Sequence, residues 1–316
     1  MPEPVHRSVP APGGRIHLAE LGEGPIVLLV HGFPESWYSW RHQLPALAAA
    51  GYRAVAIDVR GYGRSSKPAE ISAYRMLAHV ADNAGVVRAL DAPVAAIVGH
   101  DWGSPIAAAT ALLRPDLFPA VGLLSVPYTP RGDRRPTDAY ASVGDTGEFY
   151  VSYFQLPGRA EAEIEPDVRA WLRGIYTTLS GETHSASPFV IAPGGRMSDH
   201  FTGDTLPGWL SPGDLDFYVA EFERTGLTGA LNRYRNVDRD WEDLAAFDEP
   251  HQPTVFITGE RDSTRLWLDE AIERQAEWLP GHTGTHVIPD CGHWVQQERP
   301  DEVNALLLDF LTKLAR

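Results

Sequence analysis

The chain has one cysteine, Cys291, so an intrachain disulfide is excluded. That scarcity suits a reducing cytoplasm. Lysine is nearly missing: Lys67 and Lys313 are the only two among 27 basic residues. Positive charge is in deficit overall, with 42 acidic residues and a formal net charge of -15. An acidic surface repels nucleic-acid phosphates and anionic headgroups, which argues against both as partners. No apolar run approaches the ~20 residues that span a bilayer. Runs such as 26–30 and 94–98 have strand length, so no membrane insertion is expected. The first fourteen residues are polar and rich in Pro and Gly, without the charged and apolar regions of a secretory leader. Internal repeats and low-complexity tracts are also missing.

What is present is a chain of 316 residues, long enough for one large core plus an insertion. The first part alternates strands and helices. Residues 15–21, 26–30, 53–58 and 94–98 read as strands, and 117–126 contains another. Residues 40–50, 73–90 and 105–113 read as helices. This rhythm predicts a mostly parallel sheet with helices on both faces. It breaks between 130 and 250, where helical segments (148–155, 166–179, 215–225) are joined by loops. One of those loops is the polar, Gly/Pro-rich stretch 180–205. The rhythm returns with a strand at 254–258, a helix at 267–279, a strand at 285–288 and a helix at 300–314. The expected organisation is an α/β core, 1–129 and 251–316, interrupted by a helical cap, 130–250.

The most informative stretch is Gly99-His100-Asp101-Trp102-Gly103, between a strand and a helix. It has the small-x-nucleophile-x-small shape of a nucleophile elbow. Its central residue is Asp101 where most elbows carry serine. A carboxylate is already anionic at neutral pH and attacks without a base. On a saturated carbon bearing a leaving group it forms an alkyl ester, which water then cleaves. A serine would form an ether there, which no triad hydrolyses. The residue type therefore points to epoxides or alkyl halides rather than carboxylic esters. The bland alternative is an aspartate capping the next helix.

An α/β-hydrolase orders its triad as nucleophile, acid, histidine. Asp262 follows the strand 254–258, and His293 follows the strand 285–288. His293 is the expected base for water, with Asp262 fixing its tautomer. Glu260 and Asp290 are rivals for the acid, and Asp290 is read as bracing the loop. Ester hydrolysis also needs oxyanion donors. The N–H of Trp102 is one, and the N–H of Phe33 in His31-Gly32-Phe33-Pro34 is the other. His31, His42 and His100 lack metal-ligand spacing and read as structural. Neither metal nor cofactor is expected.

These residues carry a resemblance. His31-Gly32-Phe33-Pro34-Glu35-Ser36-Trp37-Tyr38-Ser39-Trp40-Arg41, Gly61-Tyr62-Gly63-Arg64-Ser65, the elbow and Cys291-Gly292-His293-Trp294 together resemble the soluble epoxide hydrolases. The resemblance covers essentially the whole chain. It implies an α/β-hydrolase fold with a cap, and hydrolysis of a small apolar epoxide to a diol. It also implies two cap tyrosines that protonate the epoxide oxygen. By similarity these are Tyr234 and Tyr150, with Tyr153 in reserve for the latter. Two departures stand out. Arg233 occupies a position where the family usually has tryptophan, and Ser263-Thr264-Arg265 after Asp262 is unusually polar. The nearest alternative is a haloalkane dehalogenase, which typically has Asn in the position of Phe33. A non-catalytic receptor of the same fold is the alternative from another class. The oligomeric expectation is a monomer or homodimer.

Overall fold

The computed structural model describes residues 3–142, 147–183 and 189–314. Eight strands form the main sheet: β1 Val5–Ala11, β2 Gly14–Leu21, β3 Ile26–Val30, β4 Arg53–Ile57, β5 Ala95–His100, β6 Val121–Leu124, β7 Thr254–Gly259 and β8 His282–Ile288. Their spatial order is β1-β2-β4-β3-β5-β6-β7-β8. The pairs from β4 to β8 are parallel, and β1 and β2 attach antiparallel at one edge. This is an α/β-hydrolase fold.

The strand β1 lies in the polar stretch at the start of the chain. Most of its residues are exposed, and it carries Pro10, as an edge strand tolerates. Its period-2 apolar signal is therefore too weak to read. The central strand β3 is the opposite case: all five residues are buried. A parallel strand covered on both faces needs a continuous apolar run. Ile26, Leu28 and Val30 face the helices Met76–Ala89 and Gly103–Leu113, while Val27 and Leu29 face Gln43–Ala49 and Pro300–Leu314. Each such side chain contributes roughly 1.5–3 kcal/mol by leaving water.

Between β6 and β7 the chain is mainly helical. The helix Val168–Thr178 buries Trp171, Leu172, Ile175 and Tyr176, a helical spacing, and Asp167 caps it by accepting from the Ala170 N–H at 2.9 Å. The helix Pro212–Thr225 opens on a reciprocal Ser211–Asp214 box and stops at Gly226, whose φ is 67°. Two expectations change. The helix expected at 148–155 shrinks to Tyr150–Tyr153, because Glu148 and Phe149 pair antiparallel with Val190 and Ile191. The helix expected at 267–279 becomes Arg265–Glu273 and Gln275–Trp278. Within the loop 180–205, residues 184–188 lie outside the described set. No helix among the described residues is long and apolar enough to cross a membrane.

The sheet order fixes where chemistry can occur. From β3 the chain goes to β4 on one side and returns to β5 on the other. The loops leaving the C-terminal ends of β3 and β5 therefore diverge and leave a crevice.

Candidate active site

The elbow after β5 is tight for a steric reason. A Cβ on Gly99 would lie 1.9 Å from the Gly103 carbonyl oxygen, and one on Gly103 would lie 2.0 Å from that of Val30. Only glycine permits strand, turn and following helix to approach so closely. Asp101, at the apex, has a φ of 50°, which is strained for a residue with a side chain. That strain aims its carboxylate into the crevice. A helix-capping role is not seen: Trp102, not Asp101, is the cap residue of Gly103–Leu113, and no side chain caps that helix.

The β3 loop meets this carboxylate. The Phe33 N–H donates to Asp101 Oδ1 at 2.7 Å, and the Phe33–Pro34 peptide is cis. A Cβ on Gly32 would fall 2.2 Å from the same oxygen, so glycine there makes the approach possible. The Trp102 N–H makes no hydrogen bond to the unreacted carboxylate. Asp101 Oδ2 faces the imidazole of His293, with Nε2 at 3.5 Å.

His293 is buried, and its Nδ1 lies 3.1 and 3.2 Å from the two oxygens of Asp262. Burial alone would lower its pKa. The negative charge of Asp262, then that of Asp101, outweighs burial and holds it well above the ordinary value. Burial likewise pushes Asp262 up, but the attraction of His293 prevails and its pKa is lowered. The polar departure after Asp262 has a purpose: Thr264 donates to Asp262 Oδ1 from both its N–H and its Oγ1, each at 2.9 Å. The rivals are elsewhere. Glu260 is exposed and accepts from the Asp290 N–H at 3.2 Å, while exposed Asp290 pairs with Arg261.

Tyr150 and Tyr234 stand across the crevice from Asp101, with ring centroids 6.0 Å apart. Both phenols are pushed well above the ordinary tyrosine pKa. Burial is the main cause for both; the Asp101 charge adds to it for Tyr150, and Tyr150 and then Asp101 add to it for Tyr234. Tyr153 is not part of this pair. Its hydroxyl donates to Glu163, and the Arg159 guanidinium covers its ring.

Asp101 and Tyr150 separate two unequal spaces. A narrow one of about 30 Å³ is lined by Asp101, His293 and apolar side chains such as Phe154 and Phe201. A wide one of about 450 Å³ runs between the core and the chain after β6, past Trp102, Pro105, Leu123 and Trp267. The narrow space is of water size, and the wide one is of the size of a small organic group.

Sequence reasoning missed the group that ties these loops together. Glu35 is fully buried and accepts from the Gly32 N–H at 2.8 Å and from Gln296 Nε2 at 2.9 Å. Its Oε2 also lies 2.7 Å from Nδ1 of His100, whose Nε2 lies 2.8 Å from the His293 carbonyl oxygen. Ser125 Oγ donates to that same carbonyl at 2.6 Å. His100 is thus structural, as its spacing suggests, but it links the elbow to both partner loops. The signal for Glu35 was an acid immediately after Pro34 of the β3 loop. Burial pushes the Glu35 carboxyl up, but the His100 imidazole beside it brings it down from 4.5 to about 2. A lowered pKa means that its stabilisation is complete above pH 4.5 and is lost as pH falls through about 2. Glu35→Gln should cost about 1.5–3 kcal/mol at neutral pH. Melting curves across that acid range should fall less steeply for the variant than for the wild type. Equal slopes would remove Glu35 from this role.

A second brace joins the His293 loop to the segment after β6. The His293 N–H donates to the Leu179 carbonyl at 2.9 Å. Glu298 accepts from the N–H groups of Gly181, Gly292 and Trp294 at 2.9, 3.0 and 3.1 Å. Arg261 Nη1 donates to the Gly181 carbonyl at 2.9 Å.

Residues 25–300 match the family model of the alpha/beta hydrolase fold. Epoxide hydrolase B of Mycobacterium tuberculosis is 44% identical, over 97% of this chain and 98% of its own length. A solved epoxide hydrolase from an endophytic Streptomyces superposes with a TM-score of 0.97 at 63% identity, covering 100% of this chain and 97% of the other. Epoxide hydrolase A from Mycobacterium thermoresistibile gives a TM-score of 0.92 at 44% identity, covering 98% of both chains. With its fold, its matched length and these relatives in hand, the chain belongs to the α/β-hydrolase fold family and, within it, to the epoxide hydrolases.

Proposed function

We propose that this enzyme hydrolyses epoxides to vicinal diols through an alkyl ester on Asp101, with residues 130–250 as a cap over an α/β core made of 1–129 and 251–316. The observation that carries the route is the unequal environment of the two Asp101 oxygens. Oδ1 is held by the Phe33 N–H at 2.7 Å, so it becomes the ester carbonyl oxygen. Oδ2 has no hydrogen bond of that quality and is the nucleophile. It attacks a ring carbon, the carbon–oxygen bond of the epoxide breaks, and the departing oxygen takes a proton from Tyr150 or Tyr234. A phenol with a raised pKa stays protonated until an alkoxide, a far stronger base, develops beside it.

Alkylation also prepares the second half. Asp101 loses its charge on becoming an ester, and one of the influences raising the His293 pKa disappears. The imidazolium sheds its resting proton to solvent; neutral His293 then takes a proton from water, and the resulting hydroxide adds to the ester carbonyl carbon. The oxyanion is held by the N–H groups of Phe33 and Trp102. The acyl–oxygen bond breaks, the alkoxide recovers a proton from His293, and the diol departs. Asp101 keeps the oxygen from water and releases that water's second proton as it returns to a carboxylate, and the phenolate and His293 recover their protons from solvent. The chain's own residues supply every group in this scheme. A small apolar epoxide fits the wide cavity, and a single buried cysteine suits a reducing cytoplasm. Dehalogenation is disfavoured because Phe33 offers no side-chain donor to a halide.

The test is diol formation from a panel of aryl and aliphatic epoxides, with Asp101→Ala as the blank. Diol from the wild type alone supports the reading. Diol from both would sink Asp101, and halide release from haloalkanes without any diol would move the chain to the dehalogenases.

A further inference from the structure

The wide cavity contains a group that epoxide opening does not use. Arg233 is 3% exposed and forms part of the cavity wall. Its guanidinium lies over the indole of Trp102, 4.6 Å from the ring centroid, next to the nucleophile in sequence. Its hydrogen bonds among the described residues all leave from Nη1, which donates to Asp240 and, at 3.5 Å, to the Tyr74 carbonyl. Nε is buried without a partner, and Nη2 has none among the described residues. Asp240 is spent as well, because its Oδ1 accepts from the Met76 N–H at 2.6 Å. The rest of the nearby wall is largely apolar: Pro105, Ala108, Leu123, Val237. A guanidinium with unspent donors in such a wall is costly unless something accepts from it.

We infer that Arg233 is a specificity-determining residue that holds an uncharged acceptor oxygen, an ether or carbonyl, on the substituent of the epoxide. This rests on the proposed epoxide hydrolysis. Asp240 already balances the positive charge, so an anionic substituent would meet that carboxylate too; a neutral acceptor meets the Nη2 N–H groups, since Nε is closed off from the cavity. Arg233 touches no reacting atom, so its effect is on selection among epoxides.

The test walks one ether oxygen outward along the side chain of a terminal epoxide of fixed length, with the all-carbon chain as reference. The wild-type kcat/KM, relative to that reference, should peak at one oxygen position by roughly 10-fold or more. In Arg233→Met combined with Asp240→Asn, which leaves no lone buried carboxylate, the peak should flatten toward 1 while the all-carbon chain is still hydrolysed. The amide oxygen introduced by Asp240→Asn remains an acceptor for the Met76 N–H. Arg233→Lys should also lose the peak, since its ammonium, drawn to Asp240, puts no donor at the position of Nη2. A wild type with no preferred position overturns the inference without any variant, as does an unchanged peak in the double variant. Absence of diol from every chain, the all-carbon one included, would instead count against the proposed reaction.

Discussion

His293→Gln should open its epoxide once and then stop. Nucleophilic attack needs only the Asp101 carboxylate and the phenols, and neither is touched. Hydrolysis of the ester needs a base for water, and glutamine is none. The variant should therefore accumulate one covalently attached substrate per chain, visible by intact mass. Steady-state turnover should fall by about 10³–10⁴-fold, roughly 4–5.5 kcal/mol on the barrier. Folding should survive, because the backbone of residue 293 carries its anchors: the N–H bonds Leu179, and the carbonyl receives Ser125 and faces His100. Asp101→Ala should show neither adduct nor turnover. Normal turnover by the glutamine variant would dismiss His293 as the base.

Removing both phenols should arrest the other half of the cycle. Tyr150→Phe with Tyr234→Phe should slow ring opening by about 10²–10⁴-fold, the usual range for a positioned acid. Each single variant should lose much less, since both phenols face one oxygen and the survivor still serves; the two losses will not add. Placed in the His293→Gln background, the double variant should no longer accumulate the adduct, which assigns the defect to alkylation. The pH dependence has a fixed sign. A phenol pKa raised well above 10 keeps the acid protonated, so the wild-type alkylation rate should show no alkaline decline up to pH 10. A decline centred near the ordinary tyrosine value would contradict that environment. Unimpaired adduct formation by the double variant would dismiss both tyrosines.

The proposed triad was easier to pick out in the sequence than the contacts that hold it in place. Asp101, Asp262 and His293 each follow a strand, in a fixed order, with glycines where the backbone must turn, and such local constraints leave a local signature. The tyrosines could not be found that way. Tyr150 and Tyr153 sit three apart in one stretch, and only packing decides between them: Glu163 and Arg159 hold Tyr153, which leaves Tyr150 to the crevice. Glu35 was passed over because two of its partners, His100 and Gln296, are 65 and 261 residues away, and the nearby Gly32 contact alone gives it no distinctive role. The role of Thr264 was hidden for a similar reason. Its polarity looked like a departure until the hydroxyl was seen donating to Asp262. The first strand escaped because an exposed edge needs no apolar face.

The brace through Glu298 governs how this fold can be recombined. His293 takes its backbone support from Leu179, and Glu298 reaches to Gly181; both supports belong to the stretch after β6. A Cβ on Gly292 would lie 2.2 Å from the Gly181 nitrogen, so the two chains touch through glycine on both sides. The proposed cap, 130–250, is then not an interchangeable module that can be grafted at its two ends. A transplanted segment brings its own counterpart of residues 179–181, and the recipient must offer a matching glycine and acid, or the His293 loop loses its template. Substitutions along the wide cavity leave this seam untouched, whereas a side chain at Gly181 or Gly292 meets the facing backbone at once.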